Sequence, residues 1–251
     1  MINHCLDNLN KEGFHCFNNF INEEEQSLLE NIVKDHIHKN NNKSFFLMNE
    51  KLENTFINSD IFLKKFYKIF YDLSENENLP YYKNQKIFKN LRVIAQTKMH
   101  STSYDFHFDA HQYTILVPII IPDTDNQNTN GNLILLPNLR KKTKSLLINI
   151  IQKNIFQNKM SKMIIKYLSV RNLIRNRIIK FNQRNIYLFN GFKSLHGNQP
   201  VQEGYVRATL LLHFYDNFHN SKLVKLNRRY RKFIEDSNIK KNTMNSKFCR
   251  V

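Results

Sequence analysis

The first eighty residues carry apolar side chains at the three- and four-residue spacing of amphipathic helices. Asn22 precedes three glutamates, an order typical of a helix start, with Glu25 at the capping-box position. A second helix is predicted from Ser59. The apolar positions assigned to the two helices are Leu28, Leu29, Ile32, Val33 and Ile37, then Phe62, Leu63, Phe66, Tyr67 and Phe70. The pattern therefore predicts a helical layer over about residues 1–80.

From about residue 90 the pattern changes to β-favouring apolar runs. Pro118 lies inside the second run and Pro122 directly after it. Because proline cannot donate to a strand ladder, these prolines predict a bulge, a sheet edge or a strand end. The predicted strands span residues 91–98, 113–121, 132–136, 185–189 and 206–215. They indicate a β core over about residues 90–216.

Residues 139–183 return to helical spacing and predict a helical insertion between strands. Helices followed by short strands favour a fold that is α+β in content and mainly β, such as a jelly roll or barrel with a helical layer. The chain length of 251 residues fits one such domain over residues 1–220, with a tail over residues 221–251.

The net charge of +17 is concentrated in two segments. Residues 139–184 hold 13 Lys and Arg and no acid, and residues 222–251 carry +8, which leaves the rest of the chain at −4. Such segments can attract phosphate, an acidic carrier, nucleic acid or an anionic membrane surface. The alternative is compositional bias, because Asn, Lys, Ile and Phe dominate the whole chain.

The cysteines Cys5, Cys16 and Cys249 have no metal-like spacing, and their odd number excludes a fully paired disulfide framework. We therefore expect reduced thiols. The first residues have neither the basic nor the apolar segment of a signal peptide, and no run of about 18 apolar residues occurs. These features predict a soluble, cytoplasmic protein.

The segment from Tyr104 to His111 contains the motif that points to metal chemistry. On a strand, His107 and Asp109 would project to one face and could reach the same metal ion. His196, after the predicted strand 185–189, supplies a third ligand. Two imidazoles and one carboxylate leave open positions, as in non-haem Fe(II) oxygenases. The alternatives are a surface His-x-Asp pair in a turn and a loop histidine that caps a turn.

Arg207 adds a fourth element, eleven residues after His196 and inside an apolar strand. A hairpin between the two strands would bring its guanidinium beside the metal, where it could hold a terminal carboxylate with two hydrogen bonds. Thr209 shares its face and could add a hydroxyl contact. The alternative is a salt bridge from Arg207 to Glu203 or Asp216.

The order His-x-Asp, the glycine-bearing strand at Gly131, and then Gly191, His196 and Arg207 resembles the Fe(II)/2-oxoglutarate oxygenases. The step from His196 to Arg207 is similar to that of the phytanoyl-CoA-hydroxylase-like branch, as is the opening segment LNKEGF. The resemblance covers about residues 8–216 and implies a double-stranded β-helix fold, ferrous iron, and O2 and 2-oxoglutarate as co-substrates. The basic insertion departs from the family pattern, so the substrate class is not carried over.

Further polar residues could contact the co-substrate: Gln96, Lys98, Tyr104, Thr114 and Asn198. His100 and His111 are competing metal ligands, and His213 is expected in the core or beside the site. The repeat His36-x-His38 is discounted, because residues two apart on a helix point to different faces.

Three functions follow as hypotheses. The leading one is hydroxylation of a small or carrier-linked, anionic organic substrate, with peripheral contact to an anionic membrane as a further partner. The second is oxidative demethylation of nucleic acid, which we disfavour because the basic residues lack interleaved aromatic stacking platforms. The third is a non-catalytic jelly-roll binding protein. The oligomeric state stays open.

Overall fold

Five α-helices and nine β-strands form in the part of the chain that the computed structural model describes, residues 2–40, 43–95, 103–143, 145–219 and 221–222. The helices are α1 Ile2–Lys11, α2 Glu23–Lys39, α3 Asp60–Asn76, α4 Leu146–Gln157 and α5 Lys159–Val170. The strands are β1 Phe14–Phe17, β2 Phe45–Met48, β3 Phe88–Ala95, β4 His111–Ile120, β5 Leu133–Leu136, β6 Arg177–Ile179, β7 Ile186–Phe189, β8 Leu195–Asn198 and β9 Val206–Asp216. Short 3-10 helices span Asn49–Leu52, Phe56–Asn58, Tyr82–Asn84 and Gln127–Thr129.

The chain divides into two compact units, residues 1–215 and 216–251. None of the described helices is both long and apolar enough to cross a membrane. Cys5 and Cys16 are free thiols, and Cys249 lies outside the described residues.

The two helix starts predicted from sequence are confirmed by their caps. The side chain of Asn22 accepts a hydrogen bond from the backbone N–H of Glu25, and the Glu25 carboxylate accepts one from the N–H of Asn22. Ser59 caps α3 through the N–H of Phe62. Apolar residues of both helices, including Leu29 and Phe66, are fully buried against the larger sheet. The amphipathic stripes therefore form the predicted helical layer.

The strands form two sheets. The larger has the order β1-β7-β4-β9-β3-β2, and the smaller has the order β6-β5-β8. The pairs with described register are antiparallel. Pro118 lies inside β4. Leu116, two residues earlier, is the last residue of β4 in the described register with β7. Pro122 follows the end of β4.

Alternation along the strands of the larger sheet creates its two faces. In β4, Tyr113 and Ile115 pack with the helices, whereas Leu116 packs with residues of the smaller sheet such as Leu133. Thr114 shares the face of Leu116. Polar side chains that point away from the helices are therefore enclosed between the two sheets.

Four short strands, β1, β2, β6 and β8, were not predicted from periodicity. The predicted insertion contains α4 and α5, but its last part includes β6, which pairs with β5 in the smaller sheet.

Candidate active site

His107, Asp109 and His196 lie together at one point between the sheets. Nε2 of His107 is 3.9 Å and Nε2 of His196 is 3.5 Å from Oδ1 of Asp109. Each residue offers one ligand atom, and these atoms all lie within 4.8 Å of one another. Two imidazoles and one carboxylate at this spacing form a donor set that suits a divalent transition metal.

The backbone brings the two histidines together. The N–H of His107 donates to the carbonyl of His196 at 2.9 Å, and the N–H of His196 donates back at 3.0 Å. His196 lies in β8, whereas His107 and Asp109 lie in the extended segment just before β4 rather than inside a regular strand. One isolated antiparallel bridge thus joins the two parts of the motif.

Backbone carbonyls orient both imidazole rings. Nδ1 of His107 lies 2.9 Å from the carbonyl oxygen of Asp105, and Nδ1 of His196 lies 3.0 Å from that of Ser194. Because a carbonyl oxygen can only accept, these contacts favour protonated Nδ1 atoms. Both Nε2 atoms are then available as metal ligands.

The Asp109 carboxylate has neighbours that keep it ionised. Its Oδ2 accepts a hydrogen bond from the Thr114 hydroxyl at 2.5 Å, and Nδ1 of His213 lies 2.9 Å from that hydroxyl. Burial alone would raise the pKa of Asp109, but His196 and His213 hold it well below its usual value. His213 thus lies beside the ligand set, as expected from its position on the last strand.

The two histidines have opposite pKa shifts. Burial and then the charge of His196 lower the pKa of His107 to about 4. For His196, burial alone would lower the pKa, but the adjacent Asp109 carboxylate outweighs this effect and raises it. His107 is therefore a neutral imidazole near pH 7, which is the form that binds metal.

Arg207 is buried in the same cavity. Its Nη2 donates to Oδ1 of Asn198 at 3.0 Å, and its Nε has no hydrogen-bond partner. No carboxylate pairs with it among the described residues, so the alternative of a salt bridge to Glu203 finds no support there. A buried guanidinium with an unused donor is costly unless an anion binds to it.

The route that brings Arg207 to the metal ligands differs from the predicted hairpin, which is wrong. His196 lies in β8, which pairs with β5 of the smaller sheet, whereas Arg207 lies in β9, which pairs with β3 of the larger one. Packing of the two sheets joins these residues. Gly131 makes room for this contact, because a β-carbon at this position would overlap Cδ of Arg207.

Arg92 is a second cation in the cavity, and the sequence reasoning missed it. It lies in β3 directly opposite Thr209, and Ile94 of the same strand lies opposite Arg207. Among the described residues no ion pair closer than 4 Å includes Arg92, but the charge of Asp105 acts on it from a greater distance. Burial lowers its pKa, and burial together with the charge of Arg92 lowers the pKa of Arg207 to about 9. A charged residue between Leu91 and Val93 in an apolar strand was the available signal.

Three of the other predicted co-substrate residues, Thr209, Asn198 and Thr114, also line this cavity, whose volume is about 160 Å3. Thr114 already donates its hydroxyl to Asp109. Gln96, with Lys98 and His100, lies outside the described residues. His111 stacks on His213 with ring centroids 5.4 Å apart and does not belong to the ligand set.

Arg140 supports the metal motif from outside the cavity. Its guanidinium carbon lies 4.1 Å from the ring centroids of both Phe108 and Phe192. Nε donates to the carbonyl of Phe192 at 2.6 Å, and Nη1 donates to Asn149 of α4 at 2.9 Å. Because Phe108 stands between His107 and Asp109, this clamp fixes the segment that carries two of the candidate metal ligands.

No protein-family profile and no curated protein matches the chain. Solved structures do match. A Pseudomonas putida prolyl-4-hydroxylase shares 9% identity at a TM-score of 0.52, over 86% of this chain and 98% of that one. The non-heme alpha ketoglutarate dependent carbocyclase SnoK from nogalamycin biosynthesis shares 8% sequence identity at a TM-score of 0.53, and the match covers 88% of this chain and 89% of that one. IDO from Bacillus thuringiensis shares 13% sequence identity at a TM-score of 0.50, and the match covers 86% of this chain and 98% of that one.

At such low identity these likenesses show the fold alone. The chain has the mainly antiparallel jelly-roll fold, the double-stranded β-helix, with added helices, as the sequence predicted.

Proposed function

We propose that the protein is a non-haem iron(II)- and 2-oxoglutarate-dependent oxygenase that hydroxylates a small or carrier-bound organic substrate. The observation that carries the proposal is the shared cavity of His107, Asp109, His196 and a buried Arg207 that pairs with no carboxylate among the described residues. A metal triad and a carboxylate anchor in one enclosure are what a chelating dicarboxylate requires. The jelly-roll fold common to the prolyl-4-hydroxylase and SnoK supports the same chemistry.

In this proposal each residue has a defined task. His107, Asp109 and His196 would hold the iron, and Arg207, oriented by Asn198, would bind the distal carboxylate of 2-oxoglutarate. Thr114 and His213 keep Asp109 ionised and fixed in direction. The bound metal and co-substrate would supply O2 activation coupled to conversion of 2-oxoglutarate to succinate. The apolar side chains Leu116, Leu133 and Phe189 in the cavity would limit the access of water.

Arg92 supports an anionic substrate. With Arg207 assigned to the co-substrate, Arg92 remains as a second buried cation in the same cavity, and the charge of Asp105 offsets only part of the effect of its burial. A substrate with a carboxylate or phosphate group, or a thioester-linked carrier that bears such groups, would neutralise the charge of Arg92. The finer family position, the phytanoyl-CoA-hydroxylase-like branch, is supported by the eleven-residue step from His196 to Arg207. We further propose a single oxygenase domain over residues 1–220, a basic tail, and a reducing compartment such as the cytoplasm.

The test is a screen for succinate release. Purified protein with Fe(II), 2-oxoglutarate and O2 should form succinate, and an acidic or thioester-linked substrate should stimulate it. Arg92→Gln should lose the stimulation but keep the basal, substrate-independent release. Absence of iron-dependent succinate under all conditions would favour the non-catalytic binding protein instead.

A further inference from the structure

The helical hairpin formed by α4 and α5 has an outer surface that is unusual for a folded domain. Of the 18 exposed large apolar side chains among the described residues, ten lie on these two 12-residue helices. They are Leu147, Ile148, Ile150, Ile151, Ile155, Met160, Met163, Ile164, Tyr167 and Val170, and each is 44–72% exposed. Exposed apolar side chains that are concentrated on one element in this way mark an interaction site.

The spacing of these residues makes a continuous stripe on each helix. Leu147, Ile151 and Ile155 recur every four residues on α4, and Met160, Met163 and Tyr167 recur every three or four residues on α5. Both stripes therefore face outward, which is the reverse of the usual arrangement in a globular domain.

The hairpin and the chain on either side of it are positively charged and contain no acidic residues. Six exposed cations in and around the hairpin have no carboxylate partner within the described residues: Lys141, Lys159, Lys166, Arg171, Arg175 and Lys180. The segment 139–184 contains no Asp or Glu that could pair with them locally.

We propose that the α4–α5 hairpin docks on an anionic membrane surface. Its apolar stripes would enter the boundary between headgroups and acyl chains, and its cations would bind the acidic headgroups. A second copy of the chain fits less well, because it would bring two acid-free basic surfaces together. Nucleic acid also fits less well, because Tyr167 is the one aromatic side chain among the ten exposed residues, and aliphatic groups do not stack on bases.

Docking in this way would bring the membrane close to the proposed active site. The inner side of the hairpin packs on the metal motif: Phe156 lies against Phe108, with ring centroids 5.7 Å apart, and Lys162 pairs with Asp105. The ammonium of Lys166 also lies 4.9 Å from the ring centroid of Tyr104. The membrane inference does not depend on the proposed chemistry, so each can fail without the other.

Vesicle co-sedimentation of the full chain tests the proposal. The protein should bind phosphatidylcholine vesicles that contain phosphatidylserine, bind pure phosphatidylcholine weakly, and release as salt is raised. Ile151→Glu and Met163→Glu should each weaken binding about 10–100-fold. Lys159→Glu and Arg171→Glu should each weaken it at least about fivefold.

The matched controls are Ile61→Glu and Lys64→Glu, which change an exposed apolar residue and an exposed cation of α3. Both should bind vesicles like the wild type. All these positions are exposed, so the variants should fold with unchanged melting temperature. Wild-type affinity in the hairpin variants, or no preference for phosphatidylserine, would overturn the proposal. A wild-type dimer that Ile151→Glu makes monomeric, without any vesicle binding, would also overturn it and assign the surface to a second copy.

Discussion

Gly191 lies directly against Asp109. The backbone N–H of Asp109 donates to the carbonyl of Gly191 at 2.9 Å, and a β-carbon at position 191 would overlap the Asp109 carboxylate and approach the Thr114 hydroxyl. The carboxylate of this candidate metal ligand thus occupies space that only glycine leaves open. This contact links the segment before β4 to the turn after β7.

Gly191→Ala should displace the Asp109 carboxylate and weaken metal affinity about 10–100-fold, the range seen when groups that orient metal ligands are lost. Isothermal titration with Mn(II) measures the effect. Gly204→Ala is the control, because it also changes a glycine but meets nothing within 4 Å. Its positive φ predicts about 1 kcal/mol of lost stability, with unchanged metal affinity. Equal metal affinity in both variants would refute the steric role of Gly191.

Arg207→Met should weaken 2-oxoglutarate binding about 10–100-fold, because two charge-assisted hydrogen bonds, worth about 1.5–3 kcal/mol, are lost. Arg207→Lys should lose less 2-oxoglutarate affinity, because lysine keeps the positive charge but cannot form the paired hydrogen bonds of a guanidinium. Titration of the anaerobic Fe(II) protein with 2-oxoglutarate gives the affinities. Metal affinity should stay unchanged, and an unchanged 2-oxoglutarate affinity would remove Arg207 as the anchor.

Metal affinity should fall as the pH is lowered, and the fall should begin at an unusually high pH. The metal binds neutral imidazole, and the pKa of His196 is raised above its ordinary value of 6.5. Below that raised pKa a proton occupies the imidazole, so affinity should fall about tenfold per pH unit. Asp109, with its pKa well below the ordinary value, stays ionised throughout this range. Mn(II) titrations against pH should show the decline already above pH 6.5. A constant affinity down through that pH would contradict the predicted coupling.

Arg140→Ala should destabilise the fold and loosen the metal motif. The loss of three hydrogen bonds and two ring contacts predicts about 2–4 kcal/mol, or a fall in melting temperature of about 5–15 °C. Metal affinity should fall as well, because Phe108 is released. Arg171→Ala, which removes an exposed cation over Tyr167, should change neither quantity. An Arg140 variant with wild-type melting temperature would show that the clamp contributes little.

The longest elements could be predicted from local pattern, because each carries several repeats of its period. The apolar stripes of α2 and α3 are of this kind, and the long apolar runs of β4 and β9 were recognised by their β-favouring residues. Strands of three or four residues give no measurable period, and β8 also contains a glycine and two polar residues. β5 and β7 are equally short, and they were predicted from their β-favouring apolar residues and not from a period. β1, β2, β6 and β8 were missed.

The membership of the two sheets could not be predicted either. Nothing local indicates that β8 pairs with β5 while β9 pairs with β3, so the hairpin prediction failed although the residues it was meant to join do meet. The candidate ligand residues themselves, which the structure brings together, could be named from sequence, since His-x-Asp and an arginine inside an apolar strand require a chemical reason. By the same reasoning Arg92 was accessible too.

The most direct test of the central claim is anaerobic addition of Fe(II) and 2-oxoglutarate to the purified protein, followed by visible absorption. We predict a charge-transfer band from the iron chelate in the wild type. His107→Ala should lose the band through loss of metal, and Arg207→Ala should regain it only at higher 2-oxoglutarate concentration. A wild-type protein that shows neither the band nor a metal-dependent rise in melting temperature would contradict the assignment of this cavity as an iron and 2-oxoglutarate site.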